Sequence, residues 1–293
     1  GIPNELELDS FVFYRKSDFE QMGLREPRTW DEFLSILRAY KQAGRPGLMV
    51  ANRGGAKAQR LWNVFSDSLA GLEAIDAVLF GEGTWKTQGF VDAASLVVQL
   101  FKEGYMIPNA NAISRAEGRA IFVARRASLL FSGGWNIRRL YNEDARADDI
   151  DLCIIPPVKG GPMVPMLGVG SGFYIPSYVG GDKFAAALRF LDHLTSPEAA
   201  QLWVEQVGVI PAVPAEGRLA TRPMIEKSMR IAMQPGRAIR NFTNLSPGDV
   251  NTAVRAAAEA LIVERITPQG FVEEAEKAWA KAKGENRILR IKR

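Results

Sequence analysis

The chain has 293 residues, of which 47% are apolar and 24% charged, close to the averages for folded soluble proteins. That length supports a large core without staples and suits two domains, and it excludes disulfide scaffolds, collagen-like repeats and disordered tails. The 37 basic and 33 acidic residues leave a formal charge of +4. The basic residues are dispersed, as Arg125 with Arg126, Arg138 with Arg139, and a tail at Arg290, Lys292 and Arg293. A nucleic-acid binder would gather them on one face with interleaved aromatics, so no nucleic-acid partner is expected.

Residues 1–16 read as a strand, with Glu5, Glu7 and Asp9 on one face and apolar groups on the other. A short helix from Ser17 through Met22 follows, stopped by Gly23. Thr29 and Glu32 form a capping box, and Trp30, Phe33, Leu34 and Leu37 give the next helix one buried stripe that ends near Gly44 and Pro46. The segment from Gly47 reads as a short buried strand, a turn at Arg53-Gly54-Gly55, and a helix. Phe90 to Glu103 and Ser114 to Ala124 are further helices. The strand Ala127 to Phe131 then runs into the turn Ser132-Gly133-Gly134-Trp135. Alternating helices and short apolar strands define an α/β fold.

From Ile150 the texture turns rich in Gly and Pro, as expected of a crossing between lobes. Cys153 lies in that apolar run and is expected to be a buried, inert thiol. Phe184 to Leu194 repeats apolar residues at helical spacing, and Ser196-Pro197 opens another helix with Pro in its first turn. Residues 207–215 form a second Pro-punctuated crossing, and the remainder is mostly helical. No apolar run approaches a membrane span and no leader stands at the front; starting at Gly1, the chain reads as a processed or trimmed product.

One cysteine and one histidine, Cys153 and His193, supply neither a nucleophile with its base nor a zinc site, so no metal, cofactor or catalytic residue is expected. A carboxylate-based glycoside-processing enzyme stays open on counts alone, but it needs two carboxyls across the scissile bond. Alternating acids on one strand face point the same way. The Gly-rich stretches lack the spacing of phosphate-binding loops, and Gly168-Val169-Gly170-Ser171-Gly172 leads into a strand, which suits a hinge or a tight backbone approach. The turn at Gly133 and Gly134 differs. It follows a buried strand and precedes a helix, where ligands of α/β sheets bind, and Trp135 there offers a flat face to a sugar.

The order GIP, YRKSDFEQMGLREPRTWDEF, ASLLFSGGW, LGVGSGFYIPS, FLDHLTSPEAAQLW and GVIPAVP resembles the extracellular solute-binding proteins of bacterial ABC importers, in particular the carbohydrate-binding group that includes maltose-binding protein. The similarity spans nearly the whole chain. It implies a two-lobed periplasmic-binding-protein-like α/β fold with the ligand between lobes that close about a hinge. Because the family begins with several βα units before the point where this chain starts, it also implies an incomplete first lobe. Residues 1–8 and 170–213 would be what remains of lobe one, and residues 9–169 and 214–293 would form lobe two.

The resemblance further implies ligand contacts at Glu7 on the hinge strand, at Trp135 with Gly133 and Gly134, at Arg60 and Trp62 in the helix after the Gly-Gly turn, and at Gly170 and Ser171 entering lobe one. Asn251 stands where some sugar binders carry an aromatic platform, which implies a smaller or more polar guest than a long maltodextrin. The expected function is capture of a sugar or sugar-like molecule and its delivery to a membrane permease. The expected setting is the periplasm, or a lipid anchor at the outer face of the membrane, with the protein a monomer.

Overall fold

The structure, a computed structural model, describes residues 2–45, 47–213, 222–234 and 236–289. Gly1, Pro46, Pro235, residues 214–221, where the second crossing ends and lobe two was expected to resume, and the basic tail from Arg290 lie outside the described residues.

The first sixteen residues form three strands, β1 (Ile2–Pro3), β2 (Glu5–Asp9) and β3 (Phe11–Arg15), followed by α1 (Lys16–Gln21) and α2 (Trp30–Gln42). The expected single strand is broken at Ser10, which adopts φ of 66° and hands the chain from one sheet to another. At α2 the Thr29 hydroxyl accepts from the Glu32 amide at 3.2 Å while Glu32 accepts from the Thr29 amide, so the capping box forms as read. Next come β4 (Leu48–Met49), α3 (Ala56–Leu69), α4 (Leu72–Phe80), α5 (Gln88–Lys102) and α6 (Arg115–Val123). After these follow β5 (Leu129–Ser132), α7 (Ile137–Glu143), β6 (Ile150–Ile154), β7 (Met166–Val169) and β8 (Gly172–Phe173). The rest comprises α8 (Gly181–Leu194), α9 (Pro197–Leu202), β9 (Ile210–Pro211), α10 (Pro223–Ala232), β10 (Ile239–Arg240), α11 (Phe242–Leu245), α12 (Gly248–Ile262) and α13 (Pro268–Gly284).

Two four-stranded sheets organise these elements, in the orders β4-β5-β3-β6 and β10-β7-β2-β9, and β1 pairs separately with β8. In the first sheet β3 is antiparallel to both neighbours and every one of its residues is buried. Val12 and Tyr14 face the larger core, built with α2, α3, α5, α12 and α13, while Phe11 and Phe13 face the smaller one against α7 and α10. A strand covered on both faces is apolar along its length, as this one is from Phe11 to Tyr14; Arg15 at its end is buried in an ion pair with Asp144 at 2.6 Å. Cys153 on β6 is buried, and burial pushes its thiol well above the usual value, as befits an inert group.

Helix α8 departs from expectation. Leu191 is buried, but other apolar positions are not: Phe184, Leu188 and Phe190 are 42%, 41% and 61% exposed, and Tyr174 and Tyr178 just before it are bare. Among the described residues no helix is long and apolar enough to cross a membrane.

Candidate functional site

The turn after β5 is fixed from below. Asn136, nearly inaccessible, donates to Ser132 Oγ at 2.5 Å and accepts from Arg119 of α6 at 3.2 Å, while Arg119 forks onto Glu143. Its own amide donates to the Gly133 carbonyl at 3.1 Å. This anchoring leaves Trp135 half-buried, with its indole folded back over the main chain of Gly133. A Cβ on Gly133 would stand 2.1 Å from Cζ3 of that ring, so only glycine fits beneath it. Gly134 comes close to the Leu8 carbonyl, which brings the turn against β2.

Lys57 lies under the indole. Its Nζ is 4.7 Å from the Trp135 ring centroid and 5.3 Å from that of Phe131, and the side chain is 4% exposed. It stands in the first turn of α3, which begins at Gly55 in the left-handed conformation (φ of 71°). Gly55 is required twice over, because a Cβ there would also meet the Arg255 carbonyl of α12 at 1.8 Å.

The countercharge is Asp9. Its carboxylate is fully buried and reaches Lys57 at 3.6 Å and Arg60 Nε at 2.6 Å, and it accepts from the Ser10 amide at 2.6 Å. Burial alone would raise the Asp9 carboxyl; Lys57 and Arg60 outweigh it and hold it below the usual range. Burial draws Lys57 below an ordinary lysine, with Asp9 opposing. A lone buried carboxylate would be costly, and the two cations are what allow this one to stay ionised.

Glu7, two residues back on the same face of β2, is half-buried. Its carboxyl is raised by burial first and by the Asp9 charge second, against the pull of Arg60 and a hydrogen bond with Asn244. Arg60 also donates to the Asn241 side-chain oxygen. Glu5 accepts from Ser171 Oγ at 2.9 Å, and Gly170 donates its amide to the Glu5 carbonyl at 3.2 Å. Gly168, Gly170 and Gly172 all lie where a Cβ would press on a neighbour, at 2.7 Å from Asn244 Nδ2, 2.7 Å from Glu5 Oε1 and 2.9 Å from the Ile2 carbonyl. Close main-chain approach explains Gly172, whereas at Gly168 and Gly170 the neighbours are the ends of the Asn244 and Glu5 side chains. Along β2 a cavity of about 160 Å³ opens, lined by Leu6, Glu7, Trp135, Ile137, Gly208 and Ile210 among others.

The structure therefore brings Glu7, Arg60, Gly133, Gly134 and Trp135 to one stretch of β2, with Gly170 and Ser171 at its Glu5 end. Two expected contacts need correction. Trp62, 1% exposed, is a core residue: its ring packs within 4.9–6.0 Å of Trp85, Phe90, Phe242 and Phe271, and its indole N–H donates to the Phe90 carbonyl at 3.0 Å. Arg60 and Trp62 are two positions apart on α3, about 200° around the helix, so they cannot share a face. Asn251, 7% exposed, accepts from Gln59 at 3.1 Å and donates to the carbonyls of Thr243 and Ser246 at 2.9 and 3.1 Å. It fastens α11 to α12, and its identity carries no information about the length of a guest.

Glu5, Glu7 and Asp9 share one strand face, and Asp9 is sealed within ion pairs, so these acids cannot flank a scissile bond. The sequence reading missed Lys57, Asn241, Asn244 and Arg255. The signal for Lys57 was present: a lysine in a first helical turn that holds no acid opposes the helix dipole and so calls for another reason to be there.

Residues 4–201 match the family of bacterial extracellular solute-binding proteins, and the chain belongs to that family, whose members are binding proteins and not enzymes. A curated relative, the diacetylchitobiose binding protein NgcE of Streptomyces coelicolor, is 23% identical over 96% of this chain, and the chain spans 61% of that protein's length. Among solved structures, a chitin oligosaccharide binding protein superposes with a TM-score of 0.89 at 22% identity, over 98% of this chain and 72% of the other. RafE in complex with raffinose superposes with a TM-score of 0.75 at 18% identity, over 96% and 72%. The fold is the α/β, two-lobed architecture of periplasmic binding proteins.

Proposed function

We propose that this chain forms one wall and the hinge of a cleft that captures a sugar or sugar-like molecule and presents it to a membrane permease. The observation that carries this reading is Trp135, an indole left half-exposed, clamped in orientation by Gly133 and by Lys57, which shares the Asp9 carboxylate with Arg60, and lining one cavity with Glu7. An aromatic face beside paired donors and acceptors suits a ring with C–H bonds on its faces and hydroxyls on its rim. Glu7, Arg60, Gly133, Gly134 and Trp135 would touch the guest directly, and the Gly170–Ser171 backbone would border it. The relatives named for diacetylchitobiose, chitin oligosaccharide and raffinose make short oligosaccharides the first ligands to try.

In this reading residues 1–8 and 170–213 belong to one lobe and the rest to the other, and closure about Ser10 and the Gly168–Gly172 run is what the permease senses. The protein acts outside the cytoplasm, in the periplasm or held by a lipid at the outer membrane face, as a monomer. A thermal-shift screen of the chain against a sugar panel tests the reading, since a ligand that binds only the folded state raises the melting temperature. Stabilisation without product formation is expected; turnover of any sugar, or no stabilisation by any of them, refutes it.

A further inference from the structure

Four cations lie around the start of α3: two on that helix, one on α12 packed against it, and one at the start of α6. Lys57 and Arg60, both near the start of α3, share a single carboxylate, Asp9. Arg255 of α12 lies alongside: its main chain packs on Gly55, and its Nε donates to Gln59 of α3 at 3.2 Å. Arg115 opens α6, and the segment leading to it is tied to the same turn, with Arg53 donating its amide to the Ile113 carbonyl at 3.0 Å. Among the described residues neither Arg115 nor Arg255 meets a carboxylate. The fields of Arg60 and Arg115 both reach Arg255, and that of Arg115 reaches Lys57.

A second observation points the same way. Asn241 is 2% exposed; its Oδ1 accepts from Arg60 and from the amides of Thr243 and Asn244, yet its Nδ2 finds no partner. A buried donor without an acceptor is costly, and a ligand acceptor would relieve it. The neighbouring acids are engaged elsewhere. Asp9 is shared by two cations, Glu5 is held by Ser171 at the other end of β2, Glu117 pairs with Arg53 and Glu259 accepts from the Gly54 amide. The α3 terminus adds its own partial positive charge.

We propose that this site is selective for sugars bearing a negative charge, a carboxylate or a phosphate, seated against Arg60, Arg115, Arg255 and the free Asn241 amide. The inference rests on the sugar-binding reading above and names the ligand class within it. Arginine forks bind such groups in two-pronged fashion, and beside two arginines that meet no carboxylate a protonated amino sugar is repelled.

Calorimetric titration of the 293-residue chain tests this. Diacetylchitobiose serves as the neutral probe, digalacturonate as the carboxylate and glucose 6-phosphate as the phosphate, each at low and at physiological salt. One anionic probe is expected to bind about tenfold tighter than the neutral one, an advantage that shrinks as salt screens it, and which probe wins tells carboxylate from phosphate. Arg115→Gln, at an exposed position, should melt with the parent chain and lose about tenfold of the anionic affinity. Neutral binding that equals or exceeds both anionic probes overturns the charge preference and leaves sugar capture standing. An anionic affinity indifferent to Arg115→Gln removes the cation cluster as its seat, and no binding of any probe overturns both readings.

Discussion

Gly133→Ala isolates the contact that fixes the indole platform. The backbone at this residue (φ of −110°, ψ of 174°) is extended and open to alanine, so the substitution carries no main-chain strain. In such a conformation alanine gains about 0.4–1 kcal/mol by restricting the unfolded chain. The added methyl, however, would lie 2.1 Å from Cζ3 and 2.3 Å from Cη2 of Trp135. Carbon atoms settle near 3.5 Å, so the ring must retreat by about 1.4 Å. Overpacking of that size costs about 1–3 kcal/mol, and lifting the ring off Lys57 forfeits about 1 kcal/mol more. In a Trp135→Ala background the obstacle is gone, and Gly133→Ala should be neutral or slightly stabilising. Urea unfolding of the parent, both single variants and the double variant, followed by circular dichroism, should yield a coupling of about 2–3 kcal/mol between the two positions. If Gly133→Ala costs the same with and without the indole, the ring does not lie on this glycine and the platform geometry is wrong.

Three further outcomes are expected. Trp62→Ala should lose about 3–5 kcal/mol of stability, as for any large aromatic removed from a sealed core, and a variant that melts like the parent would return Trp62 to the surface. Thr29→Ala, which deletes the hydroxyl half of the α2 capping box, should cost about 1 kcal/mol in the same unfolding assay. Glu7→Gln tests the raised carboxyl. A folded-state acid shifted above its ordinary 4.5 takes up protons that the unfolded chain does not, so the parent loses stability as pH rises from 4.5 through the shifted value. Melting curves should therefore show the variant gaining on the parent at about pH 8 but not at about pH 4; an equal difference at both would mean that Glu7 ionises as a free carboxylate does.

What the sequence disclosed and what it withheld follow one physical divide. The capping box at Thr29, the Pro-led start of α9 and the inert setting of Cys153 depend on residues near one another in the chain, and all were read directly. The indole after the Gly-Gly turn was found because a strand-to-helix junction is itself a local pattern. Asp9, in contrast, alternates with Glu5 and Glu7 and looks like part of a wet face; its burial depends on Lys57 and Arg60, some fifty residues away. Ser10 gave no warning either, since nothing in an alternating run shows that the chain changes sheets there. Trp62 and Asn251 were misplaced for a related reason. On a helix packed on several sides, a shift of two residues separates a rim from a core, and resemblance at this level of identity does not fix such a shift.

The exposed apolar side chains of α8 have a practical consequence. Phe184 and Leu188 on one face, Phe190 on another, and Tyr174 and Tyr178 before the helix together give water more apolar surface than a folded monomer usually shows. Preparations of this chain will behave as though tacky: they should brighten hydrophobic dyes without being denatured, cling to chromatography resins, and cloud on concentration before the remainder of the molecule shows any sign of melting.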